Sequence, residues 1–208
     1  MSHRHVASRR PPCSMEVEGD HATLVLRRFL HHPPAVVWRA ITEPDQLRQW
    51  FLTTAVVEGH PGGRVDLLTG PSRVHATGRI LTWDPPRVYE HEWNVAKDGS
   101  PFRTEEQSVV RWELSPREGG TLLVLTHRGL TRATAETFQH GLPGFLDRLE
   151  AQLDGRPLPD WIRSIQESQR LSRGGGPPSS RIDGGSDRAR ERSQRQPSRI
   201  DSRTRSGS

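Results

Sequence analysis

Two histidines carry most of the chemistry this sequence offers. His91 and His127 each sit in a run of alternating apolar and polar residues, on the alternate that holds the apolar side chains. An imidazole titrates near neutrality, so one that faces a cavity serves as a polar anchor or a general base. Hydrogen-bonded among its neighbours in a core, it does neither, and the residue types leave both readings open. His140, beside a helix interruption, carries the same pair of readings. Arg28, in an early apolar run, presents a planar fork that suits a ligand carboxylate, or else lies on a solvated face.

Ten histidines raise the question of a metal, but their spacing does not answer it. H-x-H occurs only at His3–His5, and no H-x-x-x-H or E-x-x-H pair has a third ligand on a suitable face. No glycine-rich phosphate loop, G-x-S-x-G elbow or cysteine nucleophile motif is present. The expectation is no metal, no cofactor and no assigned catalytic residue. The lone Cys13 excludes an internal disulfide. No run approaches the roughly 20 apolar residues of a membrane span, and the first residues lack the apolar core of a signal peptide. A cytoplasmic protein is expected.

The elements that must position these histidines follow from periodicity. His21 to Leu30 reads as a strand. Val36, Val37, Ala40 and Ile41 recur at helical spacing behind Pro33 and Pro34, which suit a helix entrance. Thr42-Glu43-Pro44 stops that helix, because a residue before proline avoids the α region. Asp45 to Trp50 reads as a second short helix, with Leu47, Trp50 and Phe51 apolar. Strands follow at Thr53–Glu58, Arg64–Thr69, Val74–Trp83, Arg87–Val95, Gln107–Leu114 and Thr121–His127. Tyr89, His91, Trp93 and Val95 share one face of their strand; Val110, Trp112 and Leu114 share another, as do Leu123, Leu125 and His127. Gly78 inside a strand marks a bulge or a close approach. From Thr131 to Leu153 the period becomes helical, with Phe138, Leu142, Phe145 and Leu149 in one stripe. Gly141 and Pro143 predict a kink or break there. Pro157 to Gln169 has room for one more short helix around Trp161, Ile162 and Ile165.

The ends differ in composition. Residues 168–208 hold ten arginines against four acidic residues, with almost nothing apolar, and residues 1–14 add three more arginines. Against a net charge of +5 for the whole chain, the segment between is acidic. The expected organisation is a disordered basic arm over 1–14, one domain over 15–167 and a disordered Arg/Ser/Gly-rich tail over 168–208. Met15 offers a second start, with the preceding fourteen residues as a gene-model extension. The tail suits nucleic acid or an acidic surface through charge alone; without aromatics to stack on bases it would bind non-specifically.

One strand, two short helices, a run of antiparallel strands and a long last helix make the order of the helix-grip, START-like architecture. The sequence resembles the branch of the SRPBCC superfamily named after the activator of heat-shock protein 90 ATPase. The matching residues are Pro33, Val37, Trp38, Ala40, Ile41, Thr42, Pro44, Leu47 and Trp50. Further matches are Gly62-Gly63, Asp84-Pro85-Pro86, T-H-R-G-L at Thr126–Leu130 and G-L-P-G-F-L-D-R-L at Gly141–Leu149. Together they span about residues 22–155. Leu142 departs from the pattern, since many relatives carry Trp there.

The resemblance implies an α+β fold: a curved antiparallel sheet wrapped on the long helix, with an apolar cavity between them. Members of the superfamily include carriers of lipids and small molecules, aromatic polyketide cyclases and the eukaryotic chaperone activator. The expected function is binding of a hydrophobic or amphipathic small molecule in that cavity. The expected ligand-binding residues are Trp50, Phe51, Trp93, Trp112, His91, His127, Phe138, Leu142 and Phe145, with Arg28 as a further polar anchor. The aromatic residues among them equally suit plain core filling. The alternatives are a cyclase or dehydratase using the same cavity, and a module that stimulates a chaperone ATPase from an outer surface.

Overall fold

The computed structural model describes residues 13–69, 73–97, 105–160 and 163. Residues 1–12 of the basic arm, the whole Arg-rich tail, residues 98–103 of the Lys97–Arg103 loop and the apolar residues Trp161, Ile162 and Ile165 lie outside the described set.

Eleven elements follow one another: β1 (Ser14–Glu18), β2 (His21–Leu30), α1 (Pro34–Thr42), α2 (Pro44–Trp50), β3 (Leu52–Val57), β4 (Arg64–Thr69), β5 (His75–Asp84), β6 (Val88–Val95), β7 (Glu106–Arg117), β8 (Gly120–Thr131) and α3 (Arg132–Leu153). The eight strands form one antiparallel sheet in the order β1-β2-β8-β7-β6-β5-β4-β3. This is the α+β helix-grip architecture, with a curved sheet and a long C-terminal helix.

β1 is an addition to the expected order. Its sequence, S-M-E-V-E, holds only two apolar residues, and Val17 is exposed. The signal it does carry is the two-residue Gly19–Asp20 turn, with Gly19 at φ +60°, which folds β1 back on β2 residue for residue. Cys13, read as part of the arm, is buried in the core as a result. Gly78 is a close approach: a Cβ there would fall 2.6 Å from the Cβ and from the carbonyl oxygen of Glu92 on β6.

Pro143 does not break the last helix. α3 runs from Arg132 to Leu153 as one element with Pro143 inside it. The ring removes one amide from the ladder, while the turn that follows is fixed to the sheet from outside. Arg28 on β2 donates to Asp147 and to Glu150, both at 2.8 Å. Leu146 and Leu149 are buried beside it, in one core with Leu24 and Leu30 of β2.

The helix start is fixed by a buried carboxylate. Glu106, at the first position of β7, accepts from the Thr131 amide at 2.6 Å and from the Thr134 hydroxyl at 2.7 Å. Thr131 is itself the N-cap and accepts from the Thr134 amide. One side chain thus satisfies the N-cap amide and a first-turn hydroxyl, while the N-cap side chain takes a further amide that the helix start leaves unpaired. Glu106→Ala strands those donors in a buried site and is expected to cost about 2–3 kcal/mol. Urea unfolding measures the loss, and hydrogen exchange should accelerate first in the Thr134–Phe138 turn. Unchanged stability would remove this carboxylate from the account of how α3 is seated.

Candidate functional site

The inward face of the sheet presents its residues in cross-strand rows. Tyr89 on β6 pairs with Trp112 on β7, and Trp112 with Leu125 on β8. In the next row His91 pairs with Val110, and Val110 with His127. In a third, Trp93 pairs with Ser108. Alternation along each strand puts all three rows on the same side. Over them stand Phe138, Leu142 and Phe145 of α3, at the helical spacing that keeps side chains on one face. Ile41, Leu47 and Phe51 from the α1–α2 pair close one side, and Leu67, Thr69 and Val74 another. These walls enclose a cavity of about 140 Å³ with a lining almost wholly apolar.

Eight of the nine residues expected at a ligand site line this one cavity: Phe51, His91, Trp93, Trp112, His127, Phe138, Leu142 and Phe145. Trp50 does not. It is fully buried behind the wall, donates from Nε1 to the Ala40 carbonyl at 3.0 Å, and packs against Phe51 and Phe145. α2 ends at Trp50 and gives it to the core, while Phe51, already off the helical path as the C-cap, faces the cavity. Arg28 is also absent from the lining. Its guanidinium is taken by Asp147 and Glu150, so it is a structural tie and no ligand anchor. His140 lies outside the lining as well. Tyr89, Val110 and Leu125 line the cavity without having been singled out. The period-2 pattern had already put Tyr89 and Val110 beside the chosen residues, and Leu125 beside His127. Leu67, Thr69 and Val74 reach the site from β4 and the turn after it, for which local sequence gives no cue.

The two histidines are 2% and 3% exposed. Burial pushes His91 down to about 4 and, with the nearby His91, pushes His127 down to about 3. Both are neutral at physiological pH, and their tautomers follow from their partners. His91 Nδ1 lies 2.8 Å from the Glu92 carbonyl, which can only accept, so Nδ1 carries the proton and Nε2 a lone pair. Ser108 Oγ spends its proton on the Trp93 carbonyl at 3.1 Å. It therefore accepts from His127 Nε2–H at 2.9 Å, which leaves the lone pair on His127 Nδ1. Those two lone-pair nitrogens have no hydrogen-bond partner among the described residues. The Tyr89 hydroxyl and Trp93 Nε1 are buried donors that also lack one. Burial raises the Tyr89 phenol, which stays protonated.

Among the described residues no three His, Cys, Asp or Glu side chains converge as a metal cage would require. No helix among them is long and apolar enough to cross a membrane.

A family model and solved structures match this chain. The family model described as Activator of Hsp90 ATPase homolog 1-like protein matches residues 31–154. Among solved structures, protein MLL2253 from Mesorhizobium loti is 28% identical, with a TM-score of 0.57, covering 65% of this chain and 99% of its own. CalU16 from Micromonospora echinospora is 23% identical, with a TM-score of 0.57 and coverage of 78% and 94%. The protein encoded by BPP1335 of Bordetella parapertussis is 22% identical, with a TM-score of 0.57 and coverage of 79% and 90%. The last two speak for the fold alone. No curated protein matches the sequence significantly.

Proposed function

The chain belongs to the Activator of Hsp90 ATPase homolog 1-like family, and from that premise we propose that it binds a hydrophobic or amphipathic small molecule between its sheet and α3. The family's fold is that of a ligand-binding domain in general. The observation that carries the finer reading is the apolar cavity of about 140 Å³, bounded by six aromatic side chains and two histidines. A cavity of roughly 150 Å³ lined by apolar side chains stays dry and accepts a benzene-sized guest. Rigid aromatic walls supply contact area, and a few polar groups set orientation.

Binding fits the site better than turnover. A general base works best with a pKa near the working pH. Imidazoles held at about 4 and about 3 accept a proton poorly at pH 7. They suit hydrogen bonding to a ligand more than proton abstraction from one.

Native mass spectrometry of the full chain, purified gently from its source organism, tests the proposal against the denatured mass. A reproducible added mass that leaves on denaturation is expected. A bare polypeptide mass under conditions that preserve a control complex would count against a tightly held ligand. It would turn attention to the chaperone partner that the family's description names, tested by adding the protein to a chaperone ATPase assay.

A further inference from the structure

The cavity's polar groups are all uncharged, and they are not all paired. Arg28, a cation on the same sheet, is turned away and neutralised by Asp147 and Glu150. Among the described residues no Lys, Arg, Asp or Glu side chain lines the space. Besides Thr69 and Thr137, whose hydroxyls bond to backbone, the lining offers two acceptors, His91 Nε2 and His127 Nδ1, on side chains buried to 2% and 3% exposure. They flank Val110 in a single cross-strand row, two strands or roughly 10 Å apart along the sheet. Tyr89 and Trp93, on either side of His91 in β6, line the same space, while their hydroxyl and indole N–H are buried out of its reach.

An unpaired polar group in an apolar site is a standing cost. A guest that satisfies it gains what an apolar guest of equal size does not. A carboxylate guest, in contrast, would bring a charge into a site with no cation to meet it, and would face two imidazole lone pairs.

We propose, resting on the ligand-binding reading above, that the cavity selects a neutral hydroxylated aromatic molecule whose O–H donates to His91 Nε2 or His127 Nδ1. The ring lies against Trp93, Trp112 and Phe138. A neutral O–H supplies the donor that these lone pairs lack and brings no charge into the site.

A matched series separates this inference from the reading it rests on. The probes are 4-propylphenol, its methyl ether, propylbenzene and 4-propylbenzoate, each titrated into the full chain at pH 7.5 by calorimetry. The phenol is expected to bind about 10- to 100-fold more tightly than the ether, the value of one buried hydrogen bond. The benzoate is expected to show no measurable binding. In His127→Leu and in His91→Leu, at least one should lose the phenol's advantage while keeping affinity for propylbenzene. His127→Phe, which keeps a ring but carries no lone pair, serves if a leucine variant does not fold, and should narrow the gap between phenol and hydrocarbon. Equal affinity for phenol, ether and propylbenzene would overturn the selection and leave cavity binding standing. A benzoate bound as tightly as the phenol would overturn it too. Failure of all four probes would overturn both.

Discussion

Between pH 6.5 and pH 4.5 the folded state is expected to lose on the order of 5 kcal/mol, above the range in which its low-held carboxylates Asp66 and Asp154 titrate. The cause is the pair of buried imidazoles. Burial holds His91 at about 4 and His127 at about 3, against about 6.5 for an imidazole in an unfolded chain. In the window between these values the unfolded state binds more protons than the folded one, so stability rises with pH. The full stability is present above about 6.5 and is lost as pH falls toward the folded values. Each histidine costs about a factor of ten in the folded population per pH unit. Typical domains hold only about 5–15 kcal/mol in all, so the effect is large enough to unfold the protein in mild acid. Asp66 and Asp154 are held low by hydrogen bonds from Arg64 and His32. Their contribution is present above the unfolded carboxylate value, about 3.9, and is lost only below it. Urea unfolding at pH 7.5, 6.5, 5.5 and 4.5 resolves the two regimes. In the double variant His91→Gln/His127→Gln the slope between pH 6.5 and 4.5 should flatten, whatever its absolute stability. A double variant that falls as steeply as the parent would show that other groups take up the protons.

Much of this site was legible because its residues lie on regular strands. Once β6, β7 and β8 are placed, period-2 alternation forces His91, Trp93, Trp112 and His127 to one side. The stripe Phe138–Leu142–Phe145 has only that side to cover. Trp50 stands next to the end of α2, and pattern alone does not say which of two adjacent aromatics faces the cavity. Arg28 is off the lining for a different reason. Its partners, Asp147 and Glu150, are 119 and 122 residues away, and no local pattern signals a contact of that range. Pro143 followed its local rule in losing an amide, but the flanking turn is held by those same long-range ties, so the helix persists. β1 had too few apolar residues to declare itself, and its hairpin turn was the overlooked cue.

Leu142→Trp is expected to weaken ligand binding by about 100-fold or more while leaving stability within about 1 kcal/mol of the parent or above it. Leu142 sits in the roof of the cavity between Phe138 and Phe145, half-buried and facing the space. An indole there grows into a volume of only about 140 Å³, which is little larger than one aromatic guest needs. Removing or adding a single methylene in an apolar pocket already changes binding by about 10- to 200-fold, and an indole takes far more room than that. Filling an existing void adds contacts instead of forcing strain, so the usual penalty of a larger core residue should be small. Propylbenzene titrated into parent and variant measures the affinity, and urea unfolding measures the stability. Leu81→Trp adds the same indole on β5, where Leu81 is 44% exposed and outside the cavity lining, and should leave binding unchanged. An unaltered affinity in Leu142→Trp would mean that the guest does not occupy the space under α3. Loss of binding in both variants would point to a disturbance of the indole itself. Loss in Leu142→Trp alone, with stability held, ties binding to the cavity that β6, β7, β8 and α3 enclose.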